Sequence, residues 1–275
     1  MASDGSLMKS VELPNGVTLP YVEQGGPTGV PVMFLHGFTD SWRSFGLVLP
    51  HLPNSIHAFA LTMRGHGDAS RPATGYGIGD FAGDIAQFQE ATNLRAAVIV
   101  GHSMGAGVAL RFAIDRPELV LGLVLVGASP SLAGTAAARE FWDSILAKLT
   151  DPIDPTFVRT MTESSLSQAV PQSFVDAAIQ DGLKVPAFVW KAAIESRWNL
   201  EGDYAAELGR IRAPTLIVWG VRDGRYSRRE QERLVSAIAG SRLIAYRRAG
   251  HVLHWEEPQR FASDLVTFVG GLPDR

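Results

Sequence analysis

A chain of 275 residues, 46% hydrophobic and 19% charged, has room for one large α/β domain with an insertion and the composition of an ordinary globular protein. Its 25 basic and 28 acidic residues leave a net charge of −3, which points to neither nucleic acid nor an anionic membrane surface as a partner. The lack of cysteine excludes a disulfide framework, a thiolate nucleophile and any Cys-ligated metal. Residues 1–10 show no basic and apolar leader pattern, and no run reaches the length of a membrane span, so a cytoplasmic protein is expected.

In chain order, residues 9–13 and 17–23 read as strands joined at Pro14-Asn15-Gly16, an antiparallel hairpin at a sheet edge. Residues 30–35 are apolar on both faces, which suits a buried parallel strand ending at His36-Gly37-Phe38. A helix is expected over 40–49, a buried strand over 56–61, and then the loop Arg64-Gly65-His66-Gly67-Asp68. Phe81, Ile85 and Phe88 carry helical spacing through 80–92. The apolar run 96–100 enters Gly101-His102-Ser103-Met104-Gly105 and leaves it as a small-residue helix over 106–114, and 119–127 supplies a further strand. Strands and helices that alternate in this way build a parallel sheet with helices on both faces.

Between 130 and 212 no strand pattern appears. Phe141, Ile145 and Leu149 fall at helical spacing, and Pro186 suits the first turn of a helix with Trp190, Ile194 and Trp198 on one face. The alternation resumes with a strand over 213–219, a helix over 229–238, a strand over 242–246 and an amphipathic helix over 257–269. The expected organisation is a core of residues 1–129 and 213–275 interrupted by a helical insertion, 130–212.

The strand, sharp turn and helix around Ser103 have the form of a nucleophile elbow, which lifts a serine hydroxyl to the top of a sheet. A helix-capping serine is the ordinary alternative, but it accounts for neither flanking glycine. A serine nucleophile needs a base, and the base needs an acid that orients it. Parallel strands open their C-termini on one edge, so residues remote in sequence meet there when each follows a strand. Asp223 follows the strand ending at Trp219-Gly220, and His251 follows the one ending near Tyr246. His254 lies three residues beyond His251 as a rival, and Arg222 and Arg225 flank Asp223 as possible ion-pair partners. His36 and His66 read as donors that brace loops, since no His and carboxylate cluster has metal-ligand spacing.

His36-Gly37-Phe38, Arg64-Gly65-His66-Gly67, Gly101-His102-Ser103-Met104-Gly105, Trp219-Gly220-Val221-Arg222-Asp223 and Gly250-His251 together resemble the α/β-hydrolase superfamily, over nearly the whole chain and in its order. The resemblance implies an α/β-hydrolase fold: a mostly parallel central sheet, helices on both faces and an inserted helical cap. It further implies Ser103 as nucleophile, His251 as general base and Asp223 as its orienting acid. The oxyanion hole would be the backbone N–H groups of Met104 and Phe38. Gly127, where some relatives carry the acid, offers no competitor. The aromatic content of the insertion suggests a small hydrophobic ester or lactone as substrate, with His102, Trp190, Ile194 and Trp198 as candidate pocket residues. No cofactor or metal is expected, and the chain would be a monomer or homodimer. The alternatives are a hydrolase of C–C bonds in vinylogous diketones, a ligand receptor and a hydroxynitrile lyase. His102 and Val252 depart from the Asn and Trp common at those places in the C–C hydrolases.

Overall fold

A computed structural model of the chain describes residues 7–131, 136–198 and 203–273, with the side chains of 7, 136–138, 197 and 198 left aside. Apolar runs become eight strands: β1 (Leu7–Glu12), β2 (Thr18–Gln24), β3 (Val30–Leu35), β4 (Ile56–Leu61), β5 (Ala97–His102), β6 (Val120–Val126), β7 (Thr215–Gly220) and β8 (Arg242–Tyr246). They form one sheet in the order β1-β2-β4-β3-β5-β6-β7-β8. From β4 to β8 every pairing is parallel, and only β1 with β2 and β2 with β4 run antiparallel. The expected hairpin is present, although only β1 is an edge, because β2 also pairs with β4.

Both faces of the central strands are buried, so they read as continuous apolar runs. Met33, Leu35, Ile99, Leu123 and Leu125 enter the core on one face, while Val32, Phe34, Val98, Val100, Val124 and Val126 enter the core on the other. Helices α1 (Ile78–Ala91) and α2 (Met104–Asp115) pack on the first face, where Phe81, Ile85 and Phe112 are buried. Between β6 and β7 the described residues form α3 (Ala136–Ser144), α4 (Pro155–Glu163), α5 (Gln172–Leu183) and α6 (Ala187–Trp198), with no strand among them. Helices α7 (Arg228–Ala237), α8 (Leu253–Glu256) and α9 (Pro258–Gly270) complete the chain, and α9 buries Phe261, Leu265 and Phe268 in the second face. No helix among the described residues is long and apolar enough to cross a membrane.

Two expected helices are altered. Residues 40–49 form two 3₁₀ turns, Trp42–Phe45 and Leu49–His51, because Gly46 closes the first by donating to Arg43 O at 2.7 Å and Pro50, lacking an N–H, sits in the start of the second. The periodicity through Phe141, Ile145 and Leu149 is also broken. Helix α3 ends at Ser144, a 3₁₀ turn follows at Leu146–Lys148, and Ile145 stands 40% exposed.

The loop after β4 is tied to α1 by a buried ion pair. Arg64 Nε donates to Asp84 Oδ2 at 2.6 Å, its Nη2 reaches Asp84 Oδ1, and its Nη1 donates to Gly75 O at 2.8 Å. Asn15 adds a bond to Asp84 Oδ1 at 2.8 Å. Removing one partner of such a pair leaves an uncompensated buried charge. Asp84→Ala is therefore expected to cost about 3–5 kcal/mol, read as a lowered denaturation midpoint, and an unchanged midpoint would show that the pair does not stabilise the fold.

Candidate active site

The chain runs from β3 to β4 on one side and returns to β5 on the other, so the sheet order switches between β3 and β5. At such a switch the loops leaving adjacent strands diverge and open a crevice beyond the strand C-termini. The loops holding His36 to Asp40 and Ser103 flank it.

The elbow is built by close backbone approach. A Cβ on Gly105 would lie 2.2 Å from Leu35 O, and one on Gly101 would lie 2.2 Å from Gly105 O. The two glycines thus supply clearance. The positive dihedral falls on Ser103 itself, with φ 52° and ψ −111°. A serine in that region costs of order 1–3 kcal/mol and persists only where its surroundings enforce it. Here Ser103 N donates to Val126 O at 2.9 Å and Gly105 N to His36 O at 3.1 Å.

His251 and Asp223 meet as their positions after β8 and β7 required. Asp223 Oδ2 accepts from His251 Nδ1 at 2.9 Å, and both side chains are buried, that of His251 5% and that of Asp223 0% exposed. The other carboxylate oxygen accepts from the amides of Arg225 (2.7 Å) and Tyr226 (3.1 Å). The flanking arginines do not capture Asp223: the Arg225 guanidinium donates instead to Met161 O and Ser165 Oγ. With Nδ1 donating to Asp223, Nε2 of a neutral His251 is a free acceptor. His251 N also donates to Ser165 O, in the segment after α4, at 3.1 Å. The rival His254 is turned elsewhere, with Nε2 3.1 Å from Ser44 Oγ.

His36 braces the other wall. Its Nε2 accepts from Met63 N at 2.9 Å, so Nδ1 carries the proton and donates to Gly37 O at 2.7 Å. In a trans peptide the carbonyl of Gly37 and the N–H of Phe38 point in opposite directions, so this bond turns the Phe38 amide away from His36. Among the described residues neither the Phe38 nor the Met104 amide donates to another group of the chain. His66 braces its own loop through Nδ1 and Arg64 O, 2.8 Å apart.

A cavity of about 410 Å³ collects Ser103, His251, Phe38, Met104, His102, Trp190 and Ile194 on its walls, together with Phe141, Leu146, Met161 and Trp255. Asp223 stands behind His251, outside this lining. Trp190, buried in α6, meets Phe38 edge to face with ring centroids 4.9 Å apart, which joins the insertion to the loop after β3. Trp198, the remaining candidate, lies outside the described side chains. Asp40, Ser165 and Tyr226 also line the cavity and were not anticipated. Tyr226 packs 5.5 Å from the His251 ring. Three residues after Asp223, it carried no periodic or motif signal. The arrangement brings a serine on a strained backbone, an imidazole bonded to a buried carboxyl group, and Phe38 and Met104 together at one cavity.

This fold and this set of strand-end residues define an α/β-hydrolase. The chain belongs to the α/β-hydrolase fold family, which it matches over residues 30–258. It is 27% identical over 282 residues to the non-heme chloroperoxidase of Streptomyces lividans, covering 95% of this chain and 99% of that one. It is 29% identical over 251 residues to 2-hydroxymuconate semialdehyde hydrolase of Pseudomonas sp. strain CF600, covering 88% and 87%. The solved esterase EaEST of Exiguobacterium antarcticum shares the fold with a TM-score of 0.85 at 23% identity, over 96% of this chain and 100% of that one.

Proposed function

We propose that the chain is a serine hydrolase that cleaves carboxylic esters, lactones included, of small hydrophobic substrates through an acyl-enzyme. The observation that carries this reading is Ser103, held at positive φ on the same cavity as a His251 whose Nδ1 is engaged by buried Asp223. Ser103 Oγ attacks the carbonyl carbon as His251 Nε2 takes its proton, and the Phe38 and Met104 amides receive the developing oxyanion. His251 then protonates the leaving alcohol, and a water that it activates releases the acid. Residues 130–212 act as the cap, with Phe141, Leu146, Trp190 and Ile194 forming the apolar wall that selects the acyl or alcohol group. Intracellular ester turnover without a metal or cofactor is the corresponding role.

Acid release by pH-stat from matched linear esters, aliphatic and aromatic macrocyclic lactones and a vinylogous diketone tests the assignment. Ester or lactone turnover, with a hydroxylamine-trappable acyl group on Ser103, is the expected result. Turnover of the diketone alone would move the chain to the C–C hydrolases. Stoichiometric binding without turnover would make it a receptor.

A further inference from the structure

Beside the elbow, on the cavity wall, lies a group of polar side chains that the proposed reaction does not use. His102, 3% exposed in its side chain, places Nε2 3.1 Å from the backbone oxygen of His251. A carbonyl only accepts, so Nε2 carries the proton and Nδ1 of the neutral ring is a bare acceptor. That Nδ1 is buried with no hydrogen-bond partner and lies 3.9 Å from Asp40 Oδ2. The line between them is kept clear by Gly37, whose added Cβ would sit 2.8 Å from His102 Nδ1 and 3.1 Å from Asp40 Oδ2. An ionised carboxylate facing a bare ring nitrogen sets acceptor against acceptor. One proton resolves the conflict.

The Ser44 hydroxyl, by contrast, favours the ionised carboxylate. Ser44 Oγ donates to Asp40 Oδ2 at 3.1 Å, and it accepts from Trp255 Nε1 and His254 Nε2, each at 3.1 Å, which exhausts its capacity. Resting on the reading of His251 as general base, we propose that Asp40 and His102 share a proton beside the elbow and so position His251: the protonated Asp40 carboxyl closes the 3.9 Å gap and donates to His102 Nδ1, and His102 Nε2 holds the backbone of His251. Asp40 and His102 are positioning residues in this scheme.

The charged neighbours set the range in which the pair works. Burial is the main cause that pushes the Asp40 carboxyl up to about 7. Asp181 on α5 adds to the rise, while the Ser44 hydroxyl and the Arg225 guanidinium oppose it. His102 is held well below the usual imidazole range by burial, then by the imidazoles of His254 and His251, with Arg225 a smaller contributor. Below about pH 7 the proton therefore resides on Asp40. Above it the carboxylate opposes Nδ1, and the brace on the His251 backbone loosens.

The test compares wild type with Asp40→Asn, whose amide can donate to Nδ1 at every pH. The ratio of kcat at about pH 9 to kcat at about pH 6.5 is expected to be about tenfold smaller in wild type than in the variant, since small misplacements of a base are costly. An equal ratio in the two proteins overturns the pair. Nitrogen-15 histidine spectra of the wild type supply a readout that needs no variant. The His102 Nδ1 signal is expected to titrate near pH 7 while Nε2 stays protonated, and a flat Nδ1 signal overturns the proposal. Hydrolysis that survives in His251→Ala would instead overturn the reading beneath it.

Discussion

Ser103→Ala is expected to lower kcat on the best ester by a factor of about 10⁴–10⁶, with KM within a fewfold of wild type. The alanine keeps the cavity, the two amides and the imidazole, so substrate still binds and only the covalent step is lost. His251→Ala should cost a similar factor, and the double variant little more, because nucleophile and base act as a unit. Phe38→Ala and Met104→Ala should be far milder, since the proposed contribution of both residues is a backbone N–H. Steady-state kinetics on folded protein, with thermal melts alongside, decide the matter. A Ser103→Ala enzyme within tenfold of wild type would remove Ser103 from the mechanism.

Acid should destabilise the fold well before its carboxylates titrate. Burial holds His254 down to about 3 and His66 down to about 4, and it holds His36 and His102 well below the usual imidazole range. In the unfolded chain all four protonate near 6.5. The unfolded state therefore binds more protons below that pH, and stability falls as pH falls. Asp40 works the other way: its raised carboxyl makes the folded state the better proton binder between its ordinary range and about 7, which offsets one imidazole. A net three protons correspond to about 4 kcal/mol per pH unit. The net rises toward three only as pH falls, so the melting temperature should drop by roughly 8 °C between pH 6.5 and 5. A flat profile across that interval would show that these imidazoles are not kept neutral by the fold.

The elbow and the strands that feed it were legible because each is a local pattern: an apolar run, then glycines spaced around Ser103. Asp223 and His251 were legible because a parallel sheet brings its strand ends to one edge, wherever they fall in sequence. Glycines at 101 and 105 suggest a source of bend, whereas they provide clearance and Ser103 takes the bend. That distinction depends on how near β5 lies to β3, which no local pattern encodes. Asp40 was missed for the same reason. Its burial comes from Gly37, His102 and Ser44, and Ser44 is in turn filled by residues of α8 more than 200 positions on. The 3₁₀ turns over 42–51 escaped because Gly46 and Pro50 interrupt a segment whose composition otherwise tolerates a helix.

The bond from the His251 amide to Ser165 O carries a consequence for redesign. Met161, Thr162 and Ser165 form part of the cavity wall, and Ser165 also anchors the loop that bears the imidazole. Substitution libraries drawn there would change substrate fit and turnover together, so gains in selectivity would arrive with losses in rate. Trp190 packs against Phe38, whose amide is a proposed oxyanion donor, whereas Phe141, Leu146 and Ile194 have no such tie to either loop. The latter are the positions at which substrate range can be retuned while the reaction centre is left undisturbed.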